Sequence, residues 1–200
     1  MEKEWNTSSL LSIGGGYHIY KGDHFGDVIE VVSEPEFEKE DPYYESEATK
    51  TDGNIYLRFE QRMKSGWSWS SDAQLRNVSY SSMGSDNDLR AIDFDVNYLF
   101  FNPKFSINKA IDKKNQFNLS FAVAHREPDR SDFTDHGDQP LPTPEKLYDT
   151  EISWKHQSAD WNLEANSFFM SYKNQLVPTG QVNDVGNTLR KNIDKSVRLG

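Results

Sequence analysis

Apolar and polar residues alternate one by one along most of this chain, and a period of two admits only β-strands with one greasy and one polar face. The first strand is predicted over residues 3–20. There Leu11, Ile13, Tyr17 and Ile19 share one face, and Ser12, Gly14, Gly16, His18 and Tyr20 the other. Three consecutive glycines would weaken a soluble strand, but in a curved wall they permit bending or the close approach of a neighbour. Further on, Ile55, Leu57, Phe59 and Met63 alternate with Tyr56, Arg58, Glu60 and Arg62. Trp67, Trp69, Ala73 and Leu75 alternate with Ser68, Ser70, Asp72, Gln74 and Arg76. The rhythm continues through Phe101, Phe105 and Ile107, then Phe117 to Val123, then Tyr148 to Trp154. It blurs at Phe168, Phe169 and Met170, where a bulge or a strand leaving its layer is expected. A last strand starts at Leu189.

Between these strands the connections alternate in length. Short turns are read at 64–66, 112–115 and 157–160, and long polar loops at 33–53, 81–91, 126–145 and 176–188. The pattern predicts an all-β antiparallel meander of about eight long strands, with tight turns at one end and loops at the other. A soluble sandwich has no reason to sort its loops so regularly. Strands of about 10–15 residues also exceed the ordinary soluble length of about 5–6 and suit a tilted membrane strand.

Composition narrows the classes. The net charge is -10, which argues against nucleic acid as a partner and against attachment to anionic lipid through a basic face. There is no Cys, so disulfides and thiolate metal sites are excluded. Only 35% of residues are hydrophobic, yet 13% are aromatic, too many for ordinary disorder. A polar chain rich in aromatics suits a transmembrane barrel, with its polar lumen, apolar outer wall and aromatic interfaces. No stretch approaches the roughly 20 apolar residues of a membrane helix. The opening residues MEKEWNTSS hold no apolar export signal, so the expectation is a chain that lacks its natural N-terminus.

Several linked segments carry a family resemblance. These are FNPKFSI (101–107), FAVAHREPDRSDF (121–133), PTPEKLYDTEISW (142–154), FFMSYKNQLVPTGQVNDVG (168–186) and NTLRKNIDKSVRLG (187–200). They resemble the barrel of TonB-dependent outer-membrane receptors. Arg126-Glu127-Pro128, Pro144-Glu145, Tyr172 to Leu176 and Asn183 to Gly186 match the family's successive features. The resemblance is clearest over about residues 97–200 and is mostly one of rhythm before that. It implies that residues 1–200 are an open segment of a 22-stranded transmembrane β-barrel. The plug domain and the C-terminal strands are expected to be absent. It also implies residence in the bacterial outer membrane, contact with outer-membrane lipid, an imported small ligand, and the TonB complex reached through the missing plug. Ferric siderophore is the expected ligand, as the family's commonest, ahead of cobalamin or glycan.

Candidate site residues follow from residue chemistry. The densest polar cluster is His125, Arg126, Asp129, Arg130, Asp132, Asp135 and His136. Its spacing matches no metal motif, and ion pairing in a solvated loop is the favoured account. Arg126 and Pro128 read as structural, the proline stiffening the strand exit. The acidic run Glu34, Glu36, Glu38, Glu40, Asp41, Glu45 and Glu47 lacks the Asp-Gly loop of a calcium site. Within it Phe37, Tyr43 and Tyr44 could stack on a sugar or an aromatic siderophore. The long-loop ligand candidates are therefore Tyr43, Tyr44, Arg126, Arg130 and His136. Arg58, Glu60, Arg62, Asp72, Arg76, Lys104, Glu151 and Lys155 are expected to face the lumen. Trp67, Trp69, Trp154 and Trp161 all flank short turns, as an aromatic girdle at the periplasmic interface would. No cofactor is expected. No hydrolase, P-loop or zinc-protease motif occurs, so an enzyme is not expected either. The competing classes are a soluble or surface β-sheet carbohydrate-binding module and an outer-membrane barrel enzyme.

Overall fold

The computed structural model describes residues 2–6, 8–29, 42–87, 89–135, 140–183, 186 and 188–200. Nine strands form one sheet: β1 (Glu2–Asn6), β2 (Ser9–Gly26), β3 (Tyr44–Arg62), β4 (Trp67–Gly84), β5 (Phe94–Ala110), β6 (Asn115–Arg126), β7 (Glu145–Gln157), β8 (Asn162–Val182) and β9 (Thr188–Leu199). Their spatial order is their chain order, every neighbouring pair is antiparallel, and β9 does not return to β1. This is the open meander that the alternation predicts, with eight long strands after a five-residue first one. It is a single sheet among the described residues, so the two packed layers of a sugar-binding sandwich are not seen.

The register sorts the side chains as the pattern requires. Ile13, Leu57, Ala73 and Pro103 fall in one cross-strand row, and Ile107, Leu119 and Ile152 in another. These residues make one apolar face. Ile13, Leu57, Leu99, Phe101, Leu119 and Ile152 stand well exposed on it, with no second layer to cover them. The opposite face carries Arg58, Asp72 and Lys104 in a row, with Asn54 and Arg76 in another. Gly14 lies opposite Tyr56, and a Cβ built there would come within 2.4 Å of the Tyr56 phenol oxygen. The aromatic ring occupies the space that the glycine leaves, which is the close approach expected of the glycine run.

Five expectations are corrected. The predicted first strand is split into β1 and β2 by a turn at residue 8. The loop 33–53 ends earlier, because β3 starts at Tyr44. The loop 176–188 shrinks to 183–187, because β8 runs on to Val182; likewise β4 reaches Gly84 within the expected loop 81–91. No bulge interrupts the pairing of β8 with β7 through Phe168–Met170. The three loop corrections share a reason: strand ends beyond the apolar band need no greasy face, so alternation fades while backbone pairing continues. Glu34, Glu36, Phe37, Glu38, Glu40, Asp41 and His136 lie outside the described residues.

Buried residues gather on the polar face near the long connections. Val78 is fully buried, and Ala48, Tyr80, Phe94 and Phe133 form an apolar cluster. Phe133 belongs to a one-turn helix α1 (Arg130–Thr134), so part of the β6–β7 connection folds back onto the wall. If the apolar face meets lipid, Leu57→Arg costs about 2–4 kcal/mol of folded barrel in bilayers, while Glu151→Arg on the polar face costs under about 1 kcal/mol. Folding into vesicles, followed by the heat-sensitive gel shift of folded barrel, measures both.

Candidate functional site

The strand β6 ends at Arg126, and Glu127-Pro128 then turns the chain over the polar face. Pro128 is completely buried there. Glu127 reaches β3 and β4 at once: Lys50 Nζ donates to its Oε1 at 2.9 Å, and both Arg76 terminal nitrogens donate to the two carboxylate oxygens at 2.8 Å. Arg76 is also held by Asp52, with Nε at 3.0 Å from Oδ1 and a terminal nitrogen at 2.6 Å from Oδ2. Bidentate pairing on both edges fixes the guanidinium plane. Burial pushes the Glu127 carboxyl up, but hydrogen bonds from Arg76 and then Lys50 outweigh it and hold the group at about 2.

α1 follows. Its N-cap Asp129 and Asp132 form a reciprocal capping box, and the Asp129 N–H donates to Asp132 at 2.8 Å. Burial pushes the Asp132 carboxyl above the usual carboxylate range. Arg190 of β9 donates to Asp129 at 3.1 Å and lies 3.0 Å from Asp132, which ties β9 to the helix. Phe133 stacks on Phe94 at 4.5 Å and meets Tyr80 edge-on at 6.0 Å. Burying a phenyl ring contributes about 2–3 kcal/mol, so this anchor rivals the ion pairs.

Arg130 donates to the Ser82 and Ser46 hydroxyls at 3.2 and 3.1 Å. It lines an open polar cleft of about 460 Å³, together with His24, Tyr44, Asp86, Asp135 and Asn183. Of the sequence candidates, Arg130 and Tyr44 therefore come together. Tyr43 packs edge-on against Tyr44 at 6.4 Å but does not line the cleft. Arg126 stands outside it, 3.6 Å from Glu145 and 4.0 Å from Asp129. Glu145 also accepts the Leu176 N–H, so the Arg126–Glu145 pair links the end of β6 and the start of β7 to the body of β8. His125 is not a metal ligand here: its Nδ1 lies 2.8 Å from Asn102, and its ring stacks on Phe100 at 5.1 Å. No group of metal-ligating side chains is present among the described residues.

Sequence reasoning missed His24, Lys50, Asp52 and Glu127. Lys50 and Asp52 were hidden inside a presumed loop. Glu127 occupies the variable place of the Arg-x-Pro segment, and only its partners 51 and 77 residues away give it meaning. The available signal was a carboxylate beside a proline at a strand exit, together with an arginine, Arg76, expected on the polar face.

The four tryptophans stand at the short-turn end. Trp69 packs between Phe59 at 5.2 Å and Phe105 at 6.1 Å, and Phe117 stacks on Trp154 at 6.3 Å. Trp161 stacks on His156 at 4.5 Å, and Asn115 accepts from Trp154 Nε1 at 3.3 Å. Lys109 lies 5.0 Å over the Trp67 ring.

Residues 3–200 match the family model described as TonB dependent receptor-like, beta-barrel. Solved structures with the same fold include the copper transporter OprC, with TM-score 0.75 and 10% identity over 99% of this chain and 32% of that one. The FrpB iron transporter from Neisseria meningitidis, in its F5-1 variant apoprotein form, gives 0.64 and 14% over 99% and 32%. The alcaligin outer-membrane receptor FauA from Bordetella pertussis gives 0.60 and 11% over 98% and 33%. The chain thus spans about a third of the length of these structures. No curated protein sequence matches it.

Glu127 generates a pH prediction. Its carboxyl is lowered from 4.5 to about 2, so its hold on the wall is complete above about pH 4.5 and is lost as pH falls toward 2. Glu127→Gln should release the 127–135 segment already at neutral pH, weakening its attachment by about 2 kcal/mol after allowing for solvent screening. Amide exchange of residues 130–135 across pH 7 to 3, in both proteins, measures this.

Proposed function

The chain belongs to the TonB-dependent receptor family, as part of its outer-membrane β-barrel, and on that premise we propose that the whole protein binds and imports a ferric siderophore. Energy would come from the TonB complex acting through a plug encoded elsewhere in the protein, and residues 1–200 would supply part of the surrounding wall. The observation that carries this reading is the rim cleft holding Arg130 and Tyr44 at the long-connection end of a wall built like those of an iron transporter and an alcaligin receptor. An arginine and an aromatic ring suit a ligand with oxygen donors and flat chelating groups. Tyr43, Arg126 and His136 complete the proposed contacts. Trp67, Trp69, Trp154 and Trp161 serve as the periplasmic girdle.

The test is uptake of radiolabelled ferric siderophores by iron-starved cells that carry the full receptor as their sole iron transporter. One siderophore class should enter in a TonB-dependent manner. Arg130→Ala and Tyr44→Ala should each weaken its binding about tenfold, equivalent to 1.4 kcal/mol. Uptake that is unchanged in a strain lacking TonB, or growth unaffected by deleting the receptor under iron limitation, sinks the reading. Saturable copper uptake in its place would move the ligand to a metal ion.

A further inference from the structure

We propose that the short-turn end of this wall binds anionic phospholipid headgroups of the periplasmic leaflet through Lys64, Lys109, Lys113 and Lys114. The inference rests on the outer-membrane placement, in which the short turns face the periplasm. It does not depend on which ligand is imported.

Lys109 is the key residue. It stands in the cross-strand row Trp67, Lys109, Phe117, Trp154, the one cation among three aromatic rings near the short-turn end of the apolar face. An ammonium in such a place must reach a polar partner. Here it bends over the Trp67 ring, at 5.0 Å, and donates to the Ser65 carbonyl in the turn below. That leaves two of its three protons for a headgroup at the depth where an aromatic girdle sits. The next turn lies alongside. A Cβ built on Gly66 would come within 2.5 Å of the Ala110 carbonyl oxygen, so the turn 63–66 abuts the base of β5, where residues 111–114 begin.

Lys64, Lys113 and Lys114 are exposed on these two turns, and none makes an ion pair among the described residues. The one carboxylate on these two turns, Asp112, is exposed but engaged within its own turn. It accepts from the Asn115 side chain at 2.9 Å and from the backbone N–H of Lys114 at 2.7 Å and Asn115 at 2.8 Å. These hydrogen bonds, the Asn115 side chain first, hold it below the usual carboxylate range, so it stays ionised and cancels one charge of four. The charge pattern of the whole chain points the same way. The connections at the other end, 27–43, 85–93, 127–144 and 183–187, hold 16 Asp and Glu against three Lys and Arg. Their excess of acid exceeds the net charge of -10, so the rest of the molecule is positive, and part of that charge stands beside the tryptophans. A zwitterionic headgroup gains little from such a patch, whereas a phosphodiester with no ammonium of its own gains from each lysine.

The test uses the full receptor in bilayers of equal phosphatidylcholine and phosphatidylglycerol, with spin-labelled versions of each lipid. The motionally restricted shell around the protein should favour phosphatidylglycerol by at least about fivefold at low salt and lose most of that preference at about 0.5 M salt. The triple change Lys64→Gln, Lys113→Gln, Lys114→Gln should bring the ratio close to one. Lys109→Gln should lower it in part, and Lys109→Arg should keep it. The heat-sensitive gel shift reports whether each variant folds, and the salt dependence of the native protein decides the matter if a variant does not. A ratio near one for the native receptor overturns the proposal, and so does a preference that survives all the lysine changes. Displacement of phosphatidylglycerol by added lipopolysaccharide, lost in the triple variant, would overturn the assignment to the periplasmic leaflet. No siderophore enters the assay, so failure of the transport reading would leave its result intact.

Discussion

A backbone amide inside hydrocarbon has no water to bond, so every N–H and C=O along the membrane stretch of these strands must find a partner in the next strand. The rest of the structure follows from that demand. The strands pair in chain order without a crossover, because hairpins are the cheapest way to satisfy two strands at once. Antiparallel pairing puts all turns of one kind at one end. Alternation then gives the wall two chemically different faces, one carrying Ile13, Leu57 and Leu119 and one carrying Arg58, Asp72 and Lys104. The unpaired edges of β1 and β9 are the same demand left open, to be met by the neighbouring strands of a complete barrel.

The polar face solves a different problem. Its charges are not left to water where the β6–β7 connection crosses them. Glu127 is inserted between Lys50 and Arg76, Asp52 closes the far edge of the guanidinium, and Phe133 seats among Tyr80 and Phe94 just beyond. Polar and apolar anchors lie side by side along one segment of fewer than ten residues. The cleft that holds Arg130 exists because this segment is fixed, and Arg190 carries the same fixation across to β9.

The wall was legible in the sequence wherever lipid enforces contrast between faces. Leu57 against Arg58, or Leu119 against Ser120, can only mean a strand with two solvents. That the tryptophans flank the short turns was legible as well, since it follows from their places beside the turn residues. Legibility failed above the apolar band. Tyr44–Gly53 is strand, but both of its faces are polar, and its acidic flank reads as loop. Pro178 sits inside β8, close to a register shift, and reads as a breaker. The Glu127 network failed for another reason: its members are far apart in the chain, and no local pattern marks a pair that forms only after the sheet has brought β3, β4 and the β6 exit together.

The length of the strands sets where the cleft stands relative to the cell surface. β3 has 19 residues. At about 3.3 Å each and a tilt of about 40°, it climbs about 48 Å along the membrane normal. The apolar band of such a wall is about 25 Å tall, which leaves close to half of the height outside it. With the proposed tryptophan girdle holding the short turns at the opposite interface, most of that surplus would lie at the long-connection end. The cleft beside Tyr44 and α1 is therefore carried on a parapet, level with the sugar layer that coats the outer leaflet. A ligand bound for the proposed cleft would have to filter down between polysaccharide chains, since gliding along the lipid surface would bring it to the foot of the wall and not to the opening.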